Sequence, residues 1–138
     1  MLQSNVMKRF IVAFLAILHA VCCIAGIVTE HHYLSGYDKD TMVEWDFMCS
    51  SGRNSGIWSK IKVPACWETQ GFGTYYYGWE EPRNSMETGH YRHHFVADKS
   101  WRDKHVEIVF DGVMTDTEVR INGMKAGNIH EGGFYRFK

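Results

Sequence analysis

Carboxylates and histidines are the side chains of this chain best suited to chemistry. Glu80-Glu81, Glu87, Asp111 and Asp116 are of the type that hydrolyses glycosidic bonds. That reaction needs two carboxyl groups flanking the bond, with their pKa values pushed apart. Nothing in the spacing of these five pairs them. Eight histidines raise the question of a metal, and six of them stand at positions 31, 32, 90, 93, 94 and 105. Neighbouring side chains of a strand point to opposite faces, so His93 and His94 are badly placed to grip one ion. No His-Glu-x-x-His or Cys-x-x-Cys spacing occurs, and neither a metal nor any other cofactor is expected. His93 is instead expected to pack between Tyr91 and Phe95, one ring nitrogen bonded to backbone. Gly71-Phe72-Gly73 lacks the third glycine of a dinucleotide fingerprint, since Tyr76 stands in its place. Ser50 to Gly56 is a flexible loop without the Gly-x-Ser-x-Gly spacing of a nucleophile elbow.

The elements that must position these residues are strands. Val43 to Met48 places Val43, Trp45 and Phe47 on one face, and Ile57 to Val63 forms a second run stopped by Pro64. From Gly89 onward the alternation repeats. Tyr91, His93 and Phe95 share a face, as do Val106, Ile108 and Phe110, and as do Thr117, Val119 and Ile121. The last run ends in Asn122-Gly123, the strongest short hairpin signal, because a type I′ turn needs positive φ at both central residues. Gly127 and Gly132-Gly133 punctuate a return toward Phe134-Tyr135-Arg136-Phe137. The pattern predicts an all-β antiparallel fold, with no amphipathic helix of four or more turns.

The 138 residues allow one domain once a leader is subtracted. Met7-Lys8-Arg9, the apolar run Phe10 to Val21 and the small-residue end at Ala25 read as a secretory signal peptide over residues 1–25. A lipidated Cys22 or Cys23 is the weaker reading, since His19-Ala20-Val21 fits the preceding box poorly. The expectation is a secreted or periplasmic domain over residues 26–138, with no membrane association after cleavage. The formal net charge is −1, and no basic run with interleaved aromatics occurs, so a nucleic-acid partner is not expected. Cys49 and Cys66 are left either to form one disulfide or, the favoured reading, to serve as small buried side chains.

A family resemblance runs through the same residues. Trp58-Ser-Lys-Ile61-Lys-Val63-Pro64-x-x-Trp67-Glu68 is followed by Gly89-x-Tyr91-Arg92, Phe95, Trp101 and Val106 to Phe110. Asp111-Gly112-Val113, Val119, Ile121-Asn122-Gly123, Gly127 and Gly132-Gly133-Phe134 complete the series. In order and spacing the series resembles the N-terminal sugar-binding domain of glycoside hydrolase family 2, the family of β-galactosidases, β-mannosidases and β-glucuronidases. The resemblance covers roughly residues 45 to 138. It implies a jelly-roll β-sandwich, galactose-binding-domain-like, that precedes an immunoglobulin-like domain and a TIM barrel. The catalytic carboxylates belong to that barrel, so no catalytic residue is assigned in this chain, and the fragment is expected to be inactive alone. The resemblance further implies an oligosaccharide or glycoside as the bound molecule, in a β-galactosidase-like enzyme that hydrolyses O-glycosidic bonds. Where familiar β-galactosidases offer an Asn after the Asp-Gly-Val segment, this chain has Met114. Thr115 and Asp116 are therefore the candidate carbohydrate contacts. The family's chain continues past Gly-Gly-Phe into a further strand, so the fold is expected to lack its final strand. Two other readings compete: a stand-alone lectin-like module, and a structural sandwich whose aromatics face another domain.

Overall fold

The computed structural model describes residues 28–74 and 86–138. The leader read over residues 1–25, with Cys22 and Cys23, lies outside the described residues, as do Tyr76, Glu80 and Glu81. The described residues form strands and loops with two short 3-10 helices, an all-β arrangement. In order the strands are β1 (Val43–Cys49), β2 (Ser59–Val63), β3 (Gly89–Arg92), β4 (Asp116–Thr117), β5 (Arg120–Ile121), β6 (Met124–Lys125) and β7 (His130–Glu131). The chain divides into two units, Met1–His93 and His94–Lys138.

The first unit is a three-stranded antiparallel sheet with β1 in the middle, flanked by β2 and β3. Alternation along β1 sends Val43, Trp45 and Phe47 to one face, as expected, and the strand runs one residue further to add Cys49. The register sets Trp45 opposite Ile61, and Phe47 opposite both Ser59 and Tyr91. Phe47, Cys49, Ile61, Val63 and Phe72 are buried together, with Trp45 and Trp67 packed against them. Phe47 is 0% exposed and meets three rings, Tyr91 at 4.7 Å, Phe72 edge-on at 4.9 Å and Trp67 at 5.8 Å between centroids. On the other face the same register pairs Asp46 with Lys60, whose ammonium lies 2.6 Å from the carboxylate. There too the Arg92 guanidinium covers the Trp58 ring at 3.9 Å.

Three loop devices hold this sheet. Pro64 follows the last residue of β2, and the chain turns into a 3-10 helix, Trp67–Gln70, which ends at Gly71 with φ 91°. The Gln70 side chain then lies along the open edge of β2. Its amide nitrogen donates to the Lys62 carbonyl at 2.7 Å, and its oxygen accepts from the Lys62 N–H at 3.0 Å. A side-chain amide thus stands in for a neighbouring strand and blunts the edge. The Ser50–Gly56 loop is fixed through Arg53, which exchanges backbone bonds with Gly73 at 3.0 and 2.9 Å. The Arg53 guanidinium also donates to the carbonyls of Gly73, Glu68 and Phe72.

Three expectations are corrected in this unit. The strand that carries Tyr91 ends at Arg92 and does not reach Phe95, which is 45% exposed. His93 holds its place by stacking on Trp45 at 4.7 Å and 13°, not by a ring-to-backbone bond. Cys49 is buried as expected, but Cys66 is exposed, because it sits outside the sheet as the N-cap of the 3-10 helix. Both thiols are free.

The second unit is built from short pairs. The Asn122-Gly123 turn forms as expected, with φ of 52° and 82°, joining β5 to β6. Ala126 N–H bonds to the Val119 carbonyl at 2.9 Å and adds a rung. β4 pairs with β7, setting Asp116 opposite Glu131 and Thr117 opposite His130. The expected strand through Val106, Ile108 and Phe110 does not form. Only Phe110 finds a partner, exchanging backbone bonds with Phe137 at 2.9 and 3.0 Å, while Val106 and Val109 are half exposed. Alternation sorts side chains between faces, but a strand also needs a neighbour for its backbone, and here the pairing is one residue long.

Gly89 is the glycine on which the first unit turns. A Cβ there would overlap the Trp67 ring and come within 2.9 Å of the Phe47 ring. Gly89→Ala is expected to lower stability by about 1–3 kcal/mol through overpacking. Urea unfolding followed by tryptophan fluorescence checks this, and an unchanged midpoint would show that Trp67 does not lie against Gly89.

Candidate functional site

Thr115 and Asp116 lie where the loop after Asp111-Gly112-Val113 enters β4. The Thr115 carbonyl accepts the Gly132 N–H at 2.8 Å, which ties this loop to the turn after β7. The two loops touch closely. A Cβ at Gly133 would come 2.8 Å from Met114 Cγ, and one at Gly112 would come 3.3 Å from the Gly133 carbonyl. Gly132 has φ 121°, a conformation that side chains rarely adopt, and the Tyr135 ring folds back to within 3.0 Å of where its Cβ would be. Tyr135 and Phe134 are 68% and 85% exposed, and Thr115 and Asp116 are exposed as well.

The inner side of this strand pair is apolar. The His130 ring stacks on Phe137 at 3.9 Å, and Phe137 stacks on Phe110 at 4.8 Å. Thr117 Oγ1 and His130 Nε2 are buried there without a hydrogen-bond partner among the described residues. Charged side chains of this unit pair at its surface. Asp111 takes the Arg136 Nε at 2.6 Å. Glu107 is held by Lys138 at 2.6 Å and by His105 at 2.9 Å. Glu118 is held by Arg120 at 2.6 Å and by Lys125 at 3.0 Å.

The candidate carboxylates are therefore placed as follows. Glu87 belongs to the first unit and accepts from both Thr74 groups, Oγ1 at 2.6 Å and N–H at 3.0 Å. Asp111 is occupied by Arg136, and Asp116 faces Glu131 across the β4–β7 pair. Among the histidines, His105 binds Glu107 and His93 stacks on Trp45, and no group of three or more metal-ligating side chains occurs among the described residues. Gly71 closes a helix and Gly73 pairs with Arg53, which gives both glycines structural work.

Glu131 and Tyr135 were not singled out by the sequence. A hairpin running symmetrically from Asn122-Gly123, where Arg120 meets Lys125, would set Asp116 opposite Ile129. The bend at Gly127-Asn128 shifts the register by two residues and delivers Glu131 instead. The signal available was the Gly127 and Gly132-Gly133 punctuation, which marks bends but not their length.

Compared with known proteins, the chain matches no family model, no curated protein and no solved structure.

Ion pairing lowers the pKa of two glutamates in this unit. The Lys138 and His105 hydrogen bonds lower that of Glu107, and the Lys125 and Arg120 bonds that of Glu118. A carboxyl group whose folded pKa lies below its unfolded one adds stability above the ordinary glutamate range. That contribution is lost as pH falls through the lowered folded value. Side-chain NMR titration is expected to find both groups below the ordinary glutamate midpoint, with Lys138→Met returning Glu107, and not Glu118, toward it. Equal movement of both would contradict the separate pairings.

Proposed function

We propose that this chain is the N-terminal carbohydrate-binding domain of a secreted glycoside hydrolase, a β-galactosidase-like enzyme of the kind found in glycoside hydrolase family 2. Its fold in this reading is a sandwich of jelly-roll type. Its partners are the glycoside substrate and the immunoglobulin-like and TIM-barrel domains that follow in such enzymes. The barrel carries the two catalytic carboxyl groups, and this domain orients sugar at the barrel's mouth. Contacts of this non-reacting kind contribute to rate when they fix the substrate in its transition-state geometry.

One observation supports the reading beyond the motif series. The Gly132–Thr115 bond ties the loop that carries Thr115 and Asp116 to the turn against which the exposed Tyr135 ring folds. A pyranose has an apolar face of C–H groups and a rim of hydroxyls, and an amphipathic ring beside convergent oxygen acceptors meets both needs. Tyrosine also offers contact area with only two torsions to order, so little is lost on binding.

Titration of the full chain with methyl β-galactoside, followed by NMR, is expected to give saturable shifts at Thr115, Asp116 and Tyr135. Tyr135→Ala is expected to weaken binding about tenfold, roughly 1.4 kcal/mol, with the thermal midpoint unchanged. Absence of any saturable shift with galactosides, mannosides and glucuronides would reject the reading.

A further inference from the structure

We infer that the segment around Val106 is a docking edge for a second copy of this chain, pairing antiparallel with its own counterpart so that the two Val106 residues face each other. The inference does not depend on the carbohydrate reading. It begins from the run before Phe110, where alternation predicts a strand and the fold supplies no neighbour. Glu107 bonds to His105 at 2.9 Å and to Lys138 at 2.6 Å, so the side chains at 105 and 107 share a side, as in extended chain. Phe110 turns its N–H and C=O toward Phe137. Successive residues of an extended chain turn these groups to opposite edges, so those of His105, Glu107 and Val109 face away from Phe137. None of the three has a backbone hydrogen-bond partner among the described residues, and all three are exposed. Such a row of unpaired donors and acceptors is a template for a further strand.

Side-chain complementarity selects a second copy as the partner. An antiparallel pair centred on Val106 sets His105 of each copy opposite Glu107 of the other. These are residues whose N–H and C=O face the open edge, so side chains and backbone agree on one register. Directly opposite residues bring their Cβ atoms to about 5.5 Å, whereas residues two apart on one strand are separated by about 7 Å. The imidazole–carboxylate bond that His105 and Glu107 make within the chain is then made twice between copies, over a shorter span. Lys138 keeps its hold on Glu107, so no carboxylate loses its counter-charge. Centring the pair on Glu107 would oppose two carboxylates, and centring it on His105 two imidazoles, so the side chains disfavour both slips. Val106, 53% exposed in the single chain, is covered by its own counterpart.

Sedimentation equilibrium of the full chain is expected to show a reversible monomer–dimer equilibrium. His105→Glu sets carboxylate opposite carboxylate twice, and is expected to weaken the dimer about five- to tenfold. The double variant His105→Glu/Glu107→His restores the pairing with its direction reversed, and is expected to return the affinity to within about twofold. Val106→Cys places two thiols on the two-fold axis with Cα atoms about 4.5 Å apart, within disulfide reach. Mild copper-catalysed oxidation is expected to link it into a covalent dimer beyond any formed by the wild-type chain. Ile108→Cys stands roughly 14 Å from its counterpart in this register and is expected to stay unlinked. A monomer at every concentration, or a dimer indifferent to His105→Glu, would overturn the inference. So would a double variant no tighter than the single one, or linkage through Ile108→Cys and not Val106→Cys.

Discussion

The burial of Phe47 in the middle strand is the constraint on which the first unit depends. Five hydrophobic residues are buried among the described residues, all of them in this unit, and Phe47 is the one that touches rings on three sides. Removing such a ring typically costs about 3–5 kcal/mol. Its neighbours are what they are because of it. Gly89 opposite Cys49 is glycine because the Trp67 ring must cross that position to reach Phe47. Arg53 ties its own loop to the Glu68–Gly73 segment that delivers Phe72. Gln70 closes the β2 edge and so holds the strand that brings Ile61 and Val63 to the same core.

What was legible in the sequence was local. β1 could be placed to within one residue, because alternation over seven positions is tied directly to which side chains must be buried. The Asn122-Gly123 turn was legible because few residues tolerate positive φ twice in succession. Properties that depend on a distant partner were not legible. Val106 to Phe110 alternates as well as β1 does, yet only Phe110 meets a backbone to pair with, and alternation carries no record of that. The same limit explains Cys66, whose exposure follows from the helix it caps rather than from its own type.

The candidate site shows the division most clearly. Thr115 and Asp116 came from the family resemblance, and the structure ties their loop to the turn at Gly132. Glu131 came from a two-residue shift of register that no composition or periodicity encodes. Close approach of the two loops requires both Gly132 and Gly133. The first takes a backbone angle side chains avoid, and the second leaves room for Met114. Two adjacent glycines were read as a bend, and their second role as a contact surface appears only once the opposing loop is in place.

Two opposed carboxyl groups on a strand pair only two residues long are a poor choice for stability alone. Like charges directly across an antiparallel pair oppose the pairing they sit on. Here the pairing is held from the other side, by the His130–Phe137–Phe110 ring stack and by the Gly132–Thr115 bond that continues the ladder. The unit therefore places its unfavourable charge on a strand pair supported from beneath by stacked rings. Local rules are broken in proteins chiefly at sites kept for another purpose, with compensation nearby. The acid pair of β4–β7 and the two close-packed glycines that follow β7 adjoin one another in the chain, whereas the better-packed sheet of the first unit pairs Asp46 with Lys60 across its strands.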